Sequence, residues 1–499
     1  MSKNDLHRRE FLTIAGASAA FPSLAMANGG SLAALEAPRQ MAIDAVQSRA
    51  VPSISVAVFK DGRPLWVEAF GWANQEQRIQ AAVGTRYAIA SATKPFTATA
   101  IMMLCEAGKM ALADPIAQYL PGLGIGDDAD FSAITVADVL QHRSGIARHW
   151  RNYFKGQGEP PAFSEVAQSH AFVTPAHRRR YLYSNLNYGL AAHAIEQITG
   201  QRYHDHIAEA ILRPLGLSSA TSLGALTETW SAARPYEEDG TPIPPYRVDE
   251  QGARDLVMTA SDLARFGLAH LSGHRSLSGS LRRRMLSERH SLPDEGVSRV
   301  SYGLGWMVEH DGPAALFNFS HTGEGPGAAS ILTIVPRERL VVAAVANAQG
   351  APAYRISEAI VDALSPEFAT RRRANPFQER DPDPALIASF SGSWSGHVEM
   401  LEGPIAVRVL IGDAGASKIF MGDNTGLDLA RVAVTQGVLS ARAAGQLPGR
   451  ETSRWPHSLR LHVERTDAGL NGTLAAYASR APLPHDQFWL SHKIRLQPA

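Results

Sequence analysis

Cysteine is almost missing from this chain: Cys105 is the only one. No intrachain disulfide can form, so even in an oxidising compartment the fold must rest on its core. Cys105 lies in the apolar run Ala98 to Ala107, where a lone thiol reads as a small core residue. No His or Cys spacing matches a zinc site, and H-E-x-x-H does not occur, so no metal or other cofactor is expected. Net charge is missing too, with 48 basic side chains against 48 acidic ones. That balance gives no support for a general nucleic-acid or membrane surface, and no nucleic-acid partner is expected. Beyond the N-terminus no stretch reaches the ~18 apolar residues of a membrane helix.

What the N-terminus does carry is Arg8-Arg9-Glu10-Phe11-Leu12, a weakly apolar stretch from Thr13 to Leu24, and then Ala25-Met26-Ala27. A basic region, a short apolar region and an A-x-A-like site make an export signal. The paired arginines before Phe-Leu resemble the twin-arginine signal. Residues 1–27 are therefore expected to be a twin-arginine-type signal peptide. The mature chain would be exported, periplasmic or secreted, with no integral membrane segment.

Ser91-Ala92-Thr93-Lys94 is the most informative tetrad. A strand-like run, Tyr87 to Ala90, precedes it and a helical run from Pro95 to Ala107 follows. Ser91 thus falls at a helix N-terminus, where N–H groups and the helix dipole favour developing negative charge. Lys94 falls one turn on, on the same face. A Ser beside a Lys held in a dry pocket is an activatable nucleophile. Alone, S-x-x-K is a weak signal. Tyr183-Ser184-Asn185 and His321-Thr322-Gly323 strengthen it.

The order S-x-x-K, Y-x-N, H-T-G resembles the active-site set of the serine β-lactamase and DD-peptidase superfamily, and within it the class C β-lactamase-like branch. The resemblance runs from about Ser31 to Leu364. It includes Glu106 to Pro115, Ile134 to Gly145, the Arg213-Pro214-Leu215-Gly216-Leu217 turn, and Tyr302-Gly303-Leu304-Gly305-Trp306, read as a Gly-rich strand. It implies that Ser91 attacks a carbonyl carbon and forms an acyl-enzyme. Lys94 lies against it as a positive charge or as a base, and Tyr183 shuttles a proton. Asn185 holds Lys94 and contacts the substrate, and His321, Thr322 and Gly323 line the opposite wall. The backbone N–H groups of Ser91 and Glu324 form the oxyanion hole. Read from the residues alone, Tyr183 serves equally well as packing beside Tyr181 and Tyr188. Asn185 serves equally as a helix cap, and His321 as a polar residue at a strand start.

Two departures from the family pattern bear on substrate. His321 stands where class C β-lactamases usually have Lys, and with a pKa near 6.5 it is a poorer fixed cation. If it faces the substrate, its titration is expected between about pH 5.5 and 7.5. Arg254-Asp255 stands where relatives usually have small residues. Glu324 adds a carboxylate at the site edge. The resemblance implies a serine hydrolase whose partner is a small-molecule or peptide substrate. A D-amino-acid peptide or amide is preferred, with carboxylesterase or β-lactamase activity as alternatives. A non-hydrolytic binding or sensor domain is the reading from another class. His142 and His149, flanking a Ser-Gly turn, read as structural or surface residues.

Strand patterns at both ends of the first 366 residues surround a helical middle. The expected fold is α+β, an antiparallel sheet flanked by helices with an all-helical subdomain. Residues 28–366 form this hydrolase domain and residues 367–385, with Arg371-Arg372-Arg373 and Asp381-Pro382-Asp383-Pro384, form an exposed linker. Residues 386–499 alternate short strands with Gly-rich turns, the pattern of a small β-barrel or sandwich with an accessory role.

Overall fold

The apolar runs Ser53–Lys60, Ala328–Val335 and Leu340–Ala346 are buried along nearly their whole length. Strands with no polar alternation must be covered on both faces. The computed structural model describes residues 33–125, 131–156, 158–174, 180–226, 232–291, 300–311, 315–374, 383–412, 416–422, 426–450, 452, 456–478 and 488–499. The expected signal segment lies outside them. In the structure these three strands are the centre of a nine-stranded antiparallel sheet, flanked by Ala315–Gly325 on one side and Arg63–Asn74 on the other.

Side chains alternate across this sheet, so one register supplies two cores. Ile54, Val56, Val58, Val342 and Ala344 pack against the helices Glu36–Gln47 and Pro352–Leu364. Ala57, Phe59, Val341, Ala343 and Val345 pack toward the helix Ala260–Ser272 and the helical region. Gly267 lets that helix approach closely: a Cβ there would lie 2.8 Å from Val341 Cγ1 and 2.9 Å from Leu332 Cδ1. In the same core, Phe96 and Phe266 stack with ring centres 3.6 Å apart.

The helical region holds the helix Lys94–Glu106, buried on nearly all sides, against Asn185–Thr199. Of the segment read as a Gly-rich strand, Tyr302 to Trp306, only Tyr302 is strand; Gly303 to Trp306 form a turn between the strands Val300–Tyr302 and Met307–Asp311. Gly305 takes φ +83°, and a Cβ on it would meet Ala98 at 2.6 Å. The chain bends there to pass over the helix that follows Ser91.

The C-terminal part is a barrel, which resolves the barrel-or-sandwich alternative. Eight strands from Gly392–Met400 to Phe488–Pro498 pair in order, and the first closes on the last, with Trp394 opposite Pro498. Closure removes the exposed edges that a sandwich would keep. Part of the stretch read as linker is helical, since Pro366–Ala374 forms a helix. Pro366 at its start and Glu367 in its first turn suit a helix N-terminus, and Glu367 pairs with Arg337 at 2.8 Å. The two halves meet through a two-residue strand. His149–Trp150 pairs with the barrel strand Phe488–Pro498, Trp150 opposite Trp489.

Many histidines are buried and neutral. Burial lowers His170 to about 2, His321 to about 3, and His270 and His492 to about 4. Unfolded, each has its ordinary pKa near 6.5. The unfolded chain therefore takes up these protons first, and the stabilisation present above pH 6.5 is lost as pH falls. Glu237, raised to about 7, and Glu250 and Glu464, also raised by burial, act in the opposite sense and are outnumbered by the lowered histidines. The melting temperature should fall steadily between pH 6.5 and pH 4 in scanning calorimetry. A value constant across that range would contradict this account.

Candidate active site

Ser91 lies in a tight 3-10 turn, Ala90–Thr93, that runs into the helix Lys94–Glu106. Ala90 enters the turn at φ +45°, a left-handed conformation costing a residue with a Cβ on the order of 1–3 kcal/mol. Surrounding contacts hold it there. Ile89 donates its N–H to Leu256 O at 3.0 Å, Ser330 Oγ donates to Ile89 O at 2.6 Å, and Thr93 Oγ1 accepts from Leu256 N–H at 3.1 Å.

Lys94 has no solvent exposure. Its Nζ lies 3.1 Å from Ser91 Oγ, 2.8 Å from Asn185 Oδ1 and 3.0 Å from Ala253 O. Asn185 is the first residue of its helix, and Ser184 before it takes the N-cap position. The Asn185 side chain is therefore turned to Lys94 rather than used as a cap. Burial holds the Lys94 amine well below its ordinary pKa. Glu250 pulls it up and Arg254 pushes it down.

Two of the three acceptors, Asn185 Oδ1 and Ala253 O, have no hydrogen to give. A neutral amine has two N–H donors and one lone pair, so both donors go to these oxygens. The lone pair is left for the Ser91 hydroxyl. With the amine held neutral by burial, this geometry lets Lys94 act as a base at Ser91.

Tyr183 packs beneath Lys94, with Nζ 4.7 Å from its ring centre. Burial raises the Tyr183 phenol, while the Ser91 side chain, through a hydrogen bond, lowers it. The phenol is thus a neutral proton donor. His142 stacks obliquely on Tyr183 at 4.3 Å. Its Nδ1 accepts from Ser184 N–H and Asn187 Nδ2, each at 3.2 Å. His142 is structural, as expected, and its structural task is to hold the wall behind Tyr183.

His321 is placed on the opposite wall but not as a titrating group. Its Nδ1–H donates to Thr322 O at 2.6 Å, so Nε2 must accept, and the Tyr302 hydroxyl donates to it at 2.9 Å. Burial, with Lys94 nearby, lowers it to about 3. The expectation that His321 titrates between pH 5.5 and 7.5 is therefore corrected: it stays neutral there. Gly323 passes very close to the nucleophile turn. A Cβ on it would lie 2.0 Å from Ile89 O and 3.0 Å from Ala92 N. The neighbouring strand pairs with Ala315–Gly325 only as far as Ser320. Beyond it, Thr322 and Glu324 are exposed, on the stretch carrying the Glu324 N–H expected in the oxyanion hole.

These residues line one cleft of about 600 Å³ holding Ser91, Tyr183, Asn185, His321, Thr322 and Glu324. A larger cavity of about 830 Å³, lined by Phe163, His193 and Asp255 among others, contains neither Ser91 nor Lys94. The active cleft also includes Arg254, already marked in the sequence as a departure bearing on substrate, and Arg148, Trp150, and Tyr477 and Ala478 from the barrel, which the sequence did not place there.

The Arg254 side chain is buried in an ion cluster. It donates to Glu250 Oε2 at 2.9 Å, to Asn152 and to Arg151 O, and lies 3.6 Å from Asp249 Oδ1. His149 Nε2 lies 3.2 Å from Asp249 Oδ2. His149, Asp249 and Glu250 are close enough to hold a metal ion. The Arg254 guanidinium against both carboxylates already supplies the positive charge an ion would bring. Asp255, beside it, is 2.6 Å from His204 Nε2.

Residues 38–366 match the Beta-lactamase family. The chain belongs to that family. It is similar to Penicillin-binding protein 4 of Amycolatopsis lactamdurans, 26% identical over 366 residues, covering 69% of this chain and 93% of that one. Among solved structures it is similar to the octameric penicillin-binding protein homologue from Pyrococcus abyssi. The TM-score is 0.56 at 21% identity, over 93% of this chain and all of the other. It is also similar to the D-amino acid amidase from Ochrobactrum anthropi complexed with D-phenylalanine. There the TM-score is 0.55 at 22% identity, over 68% of this chain and all of the other. The chain is a serine hydrolase of the β-lactamase and penicillin-binding-protein fold.

The close approach at Gly323 gives a direct prediction. Gly323→Ala must push the strand and the Ser91 turn apart by about 1 Å. A displacement of that size costs about 100-fold in rate. Steady-state kcat/KM should fall to that extent while circular dichroism stays unchanged. Wild-type activity would show that the two segments are not held in contact.

Proposed function

We propose that this protein is an exported hydrolase that cleaves amides or esters through an acyl-enzyme on Ser91, with D-amino-acid peptides or amides as the preferred substrates. The observation that carries the chemistry is the buried Lys94 amine, 3.1 Å from Ser91 Oγ and with both its donors occupied elsewhere. In this reading Ser91 Oγ attacks the carbonyl carbon as its proton passes to Lys94 Nζ. The carbonyl oxygen becomes an oxyanion facing the N–H groups of Ser91 and Glu324. One such donor is worth about 2.7–4 kcal/mol of barrier. The tetrahedral species collapses, and the leaving nitrogen or oxygen takes a proton from the Tyr183 hydroxyl, which Lys94 replenishes. Water then attacks the ester carbonyl by the same route in reverse and releases the acid.

The D-amino-acid preference draws support from the name of the Ochrobactrum anthropi relative and from the charge of the site. A neutral His321 leaves the third motif without the fixed cation that class C β-lactamases usually carry there. Export rests on Arg8-Arg9 and the segment after them.

A fluorophosphonate probe should add its mass to the wild-type protein and not to Ser91→Ala, with both folded. An adduct of equal yield on the Ala variant would remove Ser91 from the nucleophile role. Among D-alanine amide, L-alanine amide, p-nitrophenyl esters and nitrocefin, the D-amide should show the highest kcat/KM. A higher value for the L-amide, an ester or nitrocefin would overturn the substrate assignment. Arg8→Lys with Arg9→Lys should retain the precursor in the cytoplasm, since twin-arginine recognition needs the guanidinium groups. Normal export of that variant would exclude the twin-arginine route.

A further inference from the structure

Arg148 sits where the two halves of the protein meet. It follows the buried Ile146 and Ala147 and precedes the short strand His149–Trp150 that pairs with the barrel. Its guanidinium carbon lies 5.3 Å from the ring centre of Trp489. Trp489 in turn packs on Tyr477 at 4.8 Å and Trp150 at 5.3 Å. Arg148, Trp150 and Tyr477 line the same cleft as Ser91 and Tyr183.

The Arg148 guanidinium stands out for its partners. Among the described residues no carboxylate pairs with it, and its Nε is buried without a hydrogen-bond partner. The groups that reach it electrostatically are the phenols Tyr181, Tyr183 and Tyr477. The first two are held neutral by burial. Glu238 and Glu324 line the same cleft. Arg254, the other arginine of the cleft, is by contrast saturated by Glu250, Asn152 and Arg151. A guanidinium stays charged at any accessible pH, and one drawn into a poorly hydrated wall gains from an incoming anion. Its fork of N–H donors matches a carboxylate.

We propose that Arg148, backed by Trp489, is a specificity residue that binds a carboxylate on the substrate, so that of two otherwise matched amides or esters this hydrolase prefers the one carrying a free acid group. The inference rests on Ser91 being the nucleophile of this cleft. It supplies the anion-binding cation that His321 does not provide, from a different element and a different wall.

Two ester pairs test it and locate the acid group. Phenyl N-acetylglycinate is compared with its 3-carboxyphenyl counterpart, which puts the carboxylate on the leaving group. Phenyl pentanoate is compared with the phenyl monoester of glutaric acid, which puts it on the acyl chain. In the wild type, one acidic ester should exceed its neutral partner in kcat/KM by about ten-fold or more, the range of a charge-assisted contact. That preference should collapse toward unity in Arg148→Gln. Arg148→Lys, which keeps the charge but loses the fork, should retain part of it. Should Arg148→Gln fail to fold, the Lys variant and the wild-type ratios carry the test. Ratios near one in both wild-type pairs, or a preference that survives in the folded Gln variant, would overturn the proposal. Turnover of the neutral esters through Ser91 would then leave the acyl-enzyme reading standing. Failure of all four esters to acylate Ser91 would remove both.

Discussion

The site depends on one buried amine. Lys94 has no exposure to water, and a fully charged ammonium there would lose hydration that three neutral oxygens only partly replace. Desolvation therefore drives the amine toward its neutral form, and neutrality is what leaves a lone pair for the serine hydroxyl. The arrangement is opposed by Glu250 and assisted by Arg254, so the ion cluster behind the site also sets the charge at its centre. Tyr183 fits the same logic. Burial raises it, so it enters the reaction as an acid while Lys94 enters as a base.

The fold brings these groups together by close approach more than by specific bonds. Helix and sheet meet where Gly267 leaves room, and the strand Ala315–Gly325 meets the nucleophile turn where Gly323 leaves room. The turn Gly303 to Trp306 passes over the nucleophile helix where Gly305 leaves room. At Gly323 and Gly305 the contacts are with backbone or with a small side chain. Such contacts cannot relax by a rotamer change, so they fix Ser91 relative to the opposite wall. The strained φ at Ala90 is held by the hydrogen bonds of Ile89 on one side and Thr93 on the other.

Much of the centre was legible because its chemistry is local. Ser91 and Lys94 are one helical turn apart, and Tyr183 and Asn185 flank a helix start, so spacing alone brings each pair to one face. The two-core sheet was legible from continuous apolar strands, and the C-terminal unit from alternation. What stayed hidden depends on tertiary surroundings. The neutrality of His321 follows from burial and from the nearby Lys94, neither of which is written in His-Thr-Gly. Arg148 joins the cleft through Tyr477 and Trp489, more than 300 positions away, and no periodicity links them. The run Tyr302 to Trp306 looked like a strand because its glycines were read as strand glycines. They turn the chain instead. Closure of the barrel is a pairing of its first and last strands, a contact that no local pattern reports.

The central claim is that the amine beside Ser91 is neutral in the working enzyme. Direct titration of Lys94 by carbon-13 NMR tests it, using lysine labelled at Cε and Lys94→Arg to assign the resonance. The account predicts a pKa well below the ordinary 10.5 of a lysine, with the Cε shift of a neutral amine already present in the neutral pH range. A Lys94 resonance that keeps the ammonium shift up to about pH 10, the range of an exposed lysine, would contradict it.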